Sequence, residues 1–226
     1  MEIFTLKEYL NPKLKKIWSN YYSYDNPIAP MFPESVVKNE VLFLSLNPSL
    51  PPFVKDVENG FTQSNPWRFL NSRISYEENE SVPHFKKFFK IQKEISENWT
   101  FLDLLYLRKS KQLDIENSYK AENERNFILE QAKLTLDLIA EIKPKLVIVA
   151  NSFTEKIIHD KKQTIFNFNA SLDNDFVYRY ENIPFITRES KFLGSRFWDS
   201  EKNKDRYENM INEVQRVLKI VNKTRP

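Results

Sequence analysis

The chain has 226 residues, of which two are glycine, two are histidine and none is cysteine. At the average glycine usage of roughly 7%, a chain of this length would carry about sixteen glycines. Glycine-rich loops that bind dinucleotides or phosphates need two or three glycines at fixed spacing, and Gly60 and Gly194 lie too far apart for that. The absence of cysteine excludes a disulfide, a thiolate metal site and a cysteine nucleophile. The number and spacing of the glycines exclude classical NAD-binding and P-loop proteins.

The overall composition is that of a folded globular domain. Hydrophobic residues make up 41% of the chain and charged residues 29%, which separates it from the disordered class. We expect a single domain over residues 1–226. Within it, residues 1–37 form an N-terminal helix and a proline-rich connection, and residues 38–222 form an α/β core.

The charge pattern limits the partners. The net charge is +3, with 34 basic and 31 acidic residues, which permits a polyanionic partner but does not resemble a nucleic-acid-binding tail. Any basic surface must therefore be local. The N-terminus carries Glu2 and no apolar run, and no window approaches eighteen apolar residues. We expect a cytoplasmic protein that makes no membrane contact.

Strands and helices alternate in the apolar pattern. Four short, continuous apolar runs, typical of strands that are buried on both faces, lie at 41–46, 99–105, 146–150 and 184–187. Predicted helices lie at 5–18 (with Asn11-Pro12 as an alternative start), from Pro66 through Leu70, from Pro83 through Ile95, at 121–142, from Ser152 to about Asp160, and at 207–221. A hairpin is predicted from residues 165–168 and 176–180.

This alternation predicts an α/β fold: a three-layer α/β/α sandwich around a short, mostly parallel sheet of about four strands. In such sheets, ligands bind beyond the carboxyl ends of the strands. The segments that follow Leu46, Leu105, Ala150 and Thr187 are therefore the places to look for a site. The turn-rich stretch from Ser49 to Pro66 is longer than a loop that only connects two elements usually is, so it is a candidate site loop.

Amide, hydroxyl and guanidinium groups dominate the residues that follow these strands. They are Asn47-Pro48-Ser49, then Asn151-Ser152, then Arg188, Ser190, Lys191 and Arg196. Such groups orient a water or a polar heterocycle and bind phosphate, whereas a hydrolytic triad or a metal site needs histidine, cysteine or clustered carboxylates. His84 and His159 lie near predicted helix ends, where imidazoles usually cap or face solvent. We expect no metal and no cofactor.

Several segments resemble the uracil-DNA glycosylase superfamily, in the branch of the mismatch-specific uracil/thymine and single-strand-selective enzymes. An apolar strand that ends in Leu46-Asn47-Pro48-Ser49 is similar to the first motif of that branch, G-x-N-P-G. Residues 65–69 resemble the helix start that closes the following loop, 100–105 the second strand, and 143–150 the third strand. The resemblance covers roughly residues 38–222, and the order of the segments carries it.

The resemblance implies base excision repair in DNA. A damaged or deaminated base would be flipped into a pocket, and water would cleave its N-glycosidic bond. Asn47 would be the catalytic residue and hold the water through its side-chain carbonyl. The base would contact Pro48 and Ser49 and stack on Phe61, with Phe69 as the alternative. Asn151 would read the edge of the base, although an N-cap explains it equally well.

The last motif of the family is the DNA-binding loop. By resemblance, Arg188, Ser190, Lys191 and Arg196 would contact phosphates next to the flipped nucleotide, whereas the alternative is a solvated loop in which Glu189 pairs with a neighbour. Thr187 to Ser190 replace the family's H-P-S or N-P-S signature, of which only the serine remains.

Two glycines that the family places beside the base are also replaced. Ser45 stands before the Asn-Pro pair, and Asn151 stands after the third strand. Added side chains here would narrow the pocket. Asp103, Asp56 and Glu58 are further candidates for activating water, with surface or structural roles as the alternative.

Two other hypotheses are consistent with the same residues. A catalytically degenerate member of the fold would bind a nucleotide, a modified base or a single strand without cleaving it. An unrelated α/β protein would use Asn47-Pro48 only as a turn.

Overall fold

The computed structural model describes residues 2–21, 30–48, 70–72, 83–109, 111–160, 169–170, 178–187 and 204–224. The strands in these residues are β1 (Ile3–Thr5), β2 (Met31–Pro33), β3 (Ser35–Val37), β4 (Val41–Ser45), β5 (Leu70–Ser72), β6 (Trp99–Asp103), β7 (Leu146–Val149), β8 (Asn169–Ala170), β9 (Tyr178–Tyr180) and β10 (Ile183–Ile186). The helices are α1 (Leu6–Tyr21), α2 (Pro83–Ile95), α3 (Gln112–Lys120), α4 (Glu122–Ile142), α5 (Ser152–Ile158) and α6 (Lys204–Thr224).

The central sheet has the strand order β6-β4-β7-β10-β9-β8 in the described part of the chain. The first four strands are mutually parallel. They correspond to the four apolar runs, so the predicted parallel core is confirmed. The sheet continues through β9, which is antiparallel to β10, and then through β8, which is antiparallel to β9. The second arm of the predicted hairpin is present as β9, whereas its first arm, 165–168, lies outside the described residues.

The sheet is buried on both faces, as the continuous apolar runs predict. On β4, Leu42 and Leu44 belong to one apolar core and Val41 and Phe43 to the other. The first core packs beneath α1, α3, α4 and α5, and the second beneath α2 and α6. The layers are therefore helices, sheet and helices, which confirms the predicted α/β/α arrangement.

Helix α1 runs through the proline that was an alternative helix start. It is continuous from Leu6 to Tyr21 with Pro12 inside it, so the alternative of a start at Asn11-Pro12 is wrong. Proline removes a backbone donor from a helix interior and costs about 3 kcal/mol there. Burial of the apolar stripe on α1 offsets this cost; the stripe consists of Leu6, Leu10, Leu14, Ile17 and Trp18.

The short elements are the ones that the apolar pattern does not predict. β1 pairs with β3, and β2 pairs with β5, in two small sheets whose strands have three residues each. Three residues are too few to show the alternation of apolar and polar residues that predicts a strand. The helix predicted from Pro66 was extended too far, because Leu70 begins strand β5. Helix α3 was missed because only Ile115 and Tyr119 on it are buried. None of the described helices is long and apolar enough to cross a membrane.

Because the chain has few glycines, other residues adopt backbone conformations that usually favour glycine. Five non-glycine residues in the described part of the chain have positive φ: Asn39, Ser96, Lys143, Glu181 and Asn182. The last two form the tight turn between β9 and β10. A left-handed conformation costs a non-glycine residue roughly 1–2 kcal/mol, with asparagine the best tolerated.

Replacement of Lys143 by glycine should therefore stabilise the protein. Lys143 ends α4 in the left-handed region, with φ of 49° and ψ of 56°, and its N–H donates to the Ile139 carbonyl. Glycine adopts this conformation without a Cβ clash, so we expect Lys143→Gly to raise the free energy of unfolding by about 1 kcal/mol. Urea unfolding checks this. Lys143→Ala, which removes the charge but keeps the Cβ, is the control and should bring no gain.

Candidate functional site

The site lies where the connections of the parallel sheet diverge. The chain leaves β4 for β6 on one side, whereas it leaves β7 for β10 on the other. A crevice opens beyond the carboxyl ends of strands at such a point, and ligands of doubly wound sheets bind there. Asn47 follows β4, and Asn151 follows β7. Two of the predicted site residues therefore follow the two strands between which such a crevice is expected.

The side chain of Asn47 is fixed through its nitrogen. Nδ2 donates to the carbonyl oxygens of Pro48 at 2.8 Å, Lys109 at 3.0 Å and Leu107 at 3.4 Å. A carbonyl oxygen only accepts hydrogen bonds, so the amide can sit in one orientation only. Oδ1 has no hydrogen-bond partner among the described residues. Asn47 and Pro48 are both half-buried.

Asn151 is the N-cap of α5, as its position before Ser152 predicts. Oδ1 accepts from the backbone N–H of Phe153 at 2.8 Å and of Thr154 at 3.1 Å. Nδ2 donates to Gln112 Oε1 at 3.1 Å. This last bond joins the start of α3 to the start of α5. Both polar atoms of Asn151 are thus engaged within the protein, and the reading of a base edge by this residue stays a prediction.

Residues 104–109, which follow β6, form a segment that we call the buried loop. Leu104 to Arg108 are each at most 5% exposed although they form neither helix nor strand. Buried backbone groups must be hydrogen-bonded, because water is not available to them. Leu104 N and Leu105 N donate to the Ser45 and Leu46 carbonyls, and Tyr106 O accepts from Met31 N.

Two side chains of α4 satisfy further groups of the buried loop. Gln131 Oε1 accepts from Tyr106 N at 3.0 Å and from Leu107 N at 2.9 Å, while its Nε2 donates to the Phe127 carbonyl at 3.1 Å. Thr135 Oγ1 donates to the Leu104 carbonyl at 2.8 Å and lies 3.0 Å from the Tyr106 hydroxyl. Asn47 Nδ2 donates to two further carbonyls of the segment, those of Leu107 and Lys109. The buried loop is therefore held from both sides.

Arg108 brings a positive charge into the buried loop. Arg108 is 3% exposed, and burial lowers the pKa of its guanidinium from the ordinary value. It stands between Leu107 and Lys109, whose carbonyls bind Asn47. A cation in a poorly solvated position exerts a stronger field than one in water. Arg108 is therefore the sequence neighbour of both loop residues whose carbonyls orient Asn47.

Asp103 adds a titratable carboxyl at the same edge of the sheet. It ends β6 and pairs in register with Ser45, the last residue of β4. Alternation along β6 directs it to the same sheet face as Trp99 and Phe101, beneath α2 and α6. Burial raises its pKa from 3.8 to about 8. A carboxyl with this pKa is mostly protonated at neutral pH, and such strongly shifted groups cluster at functional sites.

Most of the predicted DNA-binding and base-stacking residues lie outside the described residues: Ser49, Phe61, Phe69, Arg188, Ser190, Lys191 and Arg196. Their roles stay predictions. His159 is the C-cap of α5. No group of three or more potential metal-ligating side chains occurs in the part of the chain that the structure describes.

Sequence reasoning missed Gln131, Thr135 and Arg108. Gln131 and Thr135 lie one helical turn apart on α4, where the surrounding residues are apolar and buried. Two polar residues at this spacing in an apolar stripe were the available signal, since buried polar side chains need partners. Nothing in the sequence around Arg108, which is followed by Lys109 and Lys111, indicates burial.

No family model matches the chain, and no curated protein matches it.

The raised pKa of Asp103 makes stability depend on pH. Between pH 3.8 and about 8, folded Asp103 keeps a proton that the unfolded chain has released. Its contribution therefore becomes less favourable as the pH rises through this window and is fully unfavourable above it. Asp103→Asn removes this dependence.

The free energy of unfolding of Asp103→Asn, relative to that of wild type, should rise by at least about 1.4 kcal/mol between pH 5 and pH 9. This figure corresponds to a shift of one pKa unit. Urea unfolding at both pH values measures the gain. Asp137→Asn, a change at an exposed carboxylate of α4, is the control. Equal pH slopes for wild type and Asp103→Asn would contradict the assignment.

Proposed function

We propose that the protein is a uracil-DNA glycosylase-like hydrolase that cleaves the N-glycosidic bond of a flipped, damaged or deaminated base in DNA. The observation that carries the proposal is the fixed amide of Asn47. Its nitrogen is bound by backbone carbonyls, and its oxygen has no partner among the described residues. A rigid acceptor at the mouth of a sheet crevice suits the task of orienting a water molecule.

The reaction needs few groups. Water oxygen bonds to C1′ of the sugar as the C1′–N bond breaks, and the bonding electrons leave with the base. Asn47 Oδ1 accepts a hydrogen bond from the attacking water and directs its lone pair toward C1′. The water loses a proton to solvent or to an ionised carboxylate, and the departing base takes up a proton. Fixed positive charge stabilises the departing anion, because charge develops on the base in the transition state.

Arg108 and Asp103 are the described residues that suit these electrostatic tasks. Arg108 supplies a buried positive charge next to the carbonyls that bind Asn47. Asp103, with its pKa raised to about 8, donates a hydrogen bond when protonated and accepts one when ionised. Ser45 beside it replaces a family glycine and reduces the space for the base. We therefore do not assign a particular base.

The family assignment rests on the order of motifs over residues 38–222. Its support is the Asn-Pro pair directly after the first parallel strand, and a sheet in which that strand lies between the second and the third. DNA is the proposed partner. Lys109, Lys111 and the predicted loop cations Arg188, Lys191 and Arg196 would contact its phosphates, which makes binding weaken with salt.

Purified protein should release a base from at least one oligonucleotide that carries uracil, mismatched thymine or hypoxanthine, tested as single and double strands at low salt. Asn47→Ala should lower the release rate at least 100-fold, because it removes the acceptor for water. Free base is measured by liquid chromatography. Glu97→Gln is the control: it breaks the ion pair with Lys145 (2.7 Å) at the opposite end of the strands, and we expect the rate to stay within about twofold of wild type.

No release from any of these oligonucleotides would contradict the enzymatic proposal. Saturable, salt-dependent binding without release would then favour the catalytically degenerate alternative, and Phe61→Ala should weaken that binding if Phe61 stacks on the base.

A further inference from the structure

We infer that Gln131 is a positioning residue that fixes the orientation of the Asn47 amide through the buried loop. The inference deepens the proposed function and rests on it, since it assigns the residue that makes the water-holding group rigid. Gln131 is fully buried on α4, and its side-chain hydrogen bonds among the described residues go to Phe127, Tyr106 and Leu107 rather than to Asn47 or Asn151.

The orientation of Gln131 is itself fixed. Its Oε1 accepts from two consecutive N–H groups, those of Tyr106 and Leu107, at 3.0 and 2.9 Å. Its Nε2 donates to the Phe127 carbonyl at 3.1 Å, one turn earlier on α4. A flipped amide would place N–H against N–H and oxygen against oxygen. The three hydrogen bonds therefore permit one rotamer and one amide orientation.

This side chain holds the peptide unit that precedes the Asn47 contact. The unit between Tyr106 and Leu107 is bound at both ends, because its N–H reaches Gln131 and its carbonyl accepts from Met31 N at 3.0 Å. The next carbonyl along the chain, that of Leu107, accepts from Asn47 Nδ2, and the carbonyl of Lys109 does so at 3.0 Å. Loss of Gln131 leaves the first unit bound only at its carbonyl, and so shifts the two loop acceptors of Asn47, the carbonyls of Leu107 and Lys109.

The consequence for Asn47 follows from the chemistry of its amide. Two loop carbonyls and the Pro48 carbonyl converge on Nδ2, and all three accept only. While they keep their places, Oδ1 must point away from them. When the two loop carbonyls move, only the Pro48 carbonyl keeps its place at Nδ2, so the amide rotates and Oδ1 no longer presents one direction to water. A displacement of about 1 Å at a catalytic group can lower a rate by about 100-fold.

The test compares Gln131→Met with Thr135→Val. Gln131→Met conserves volume but removes all three hydrogen bonds of the side chain. Thr135→Val removes the hydrogen bonds of Oγ1 to the Leu104 carbonyl, the Tyr106 hydroxyl and the Gln131 carbonyl, but leaves the three hydrogen bonds of the Gln131 side chain in place. We expect Gln131→Met to lower kcat for base release by about 10- to 100-fold, with KM within about twofold. We expect Thr135→Val to change kcat by less than about twofold. Thermal unfolding of both variants shows whether their stabilities are comparable.

Gln131→Glu provides a readout that a merely structural role would not move. A buried glutamic acid is neutral at low pH, because burial raises its pKa, and it then accepts from both N–H groups and donates to the Phe127 carbonyl. Its kcat, relative to wild type at each pH, should approach wild type near pH 5 and fall as the pH rises. A ratio that is constant with pH, or equal kcat losses in Gln131→Met and Thr135→Val, would overturn the inference.

A second measurement does not depend on activity and separates this inference from the proposed function. Hydrogen exchange of the Asn47 side-chain amide, followed by NMR, should be slow in wild type and in Thr135→Val, and at least tenfold faster in Gln131→Met. Unchanged exchange in Gln131→Met would overturn the inference even if wild type releases bases. If exchange is faster in Gln131→Met but wild type releases no base, the result would support the positioning of Asn47 and contradict the proposed function alone.

Discussion

The site depends on one constraint, that buried backbone must be hydrogen-bonded even where it forms neither helix nor strand. The buried loop after β6 meets this constraint with help from three directions. Main-chain atoms of Ser45, Leu46 and Met31 bind some of its groups, Gln131 and Thr135 on α4 bind others, and Asn47 binds the carbonyls of Leu107 and Lys109. Each unsatisfied group would cost about 1–3 kcal/mol. The position of Asn47 is thus set by the requirements of a neighbouring loop.

The same constraint links stability to chemistry in this chain. The nitrogen of Asn47 serves the fold, and its oxygen serves the proposed reaction. A charged guanidinium, Arg108, and a carboxyl with a raised pKa, Asp103, lie in or next to the same loop. Burial acts on both groups in the same sense, since it favours the neutral form. Few glycines are available in this chain, and Ser45 and Asn151 stand where the proposed family has glycine.

The sequence predicts the long elements well, because their apolar periods are long enough to read. The four parallel strands, α2, α4 and α6 follow from runs such as Leu146 to Val149 and stripes such as that on α4. The three-residue strands and α3 do not follow, because their burial comes from tertiary contacts. For the site, Asn47 and Asn151 were predicted from their places after strands. Gln131 and Arg108 were not, because the partners that bury them are distant in sequence.

The most direct test of the central claim is the fate of the oxygen atom of water. Base release carried out in ¹⁸O-water, with products analysed by mass spectrometry, shows which bond the water makes. If the water that Asn47 holds attacks C1′, free base is released and carries no heavy oxygen. The absence of free base, or label found in the base, would contradict hydrolysis at the glycosidic bond.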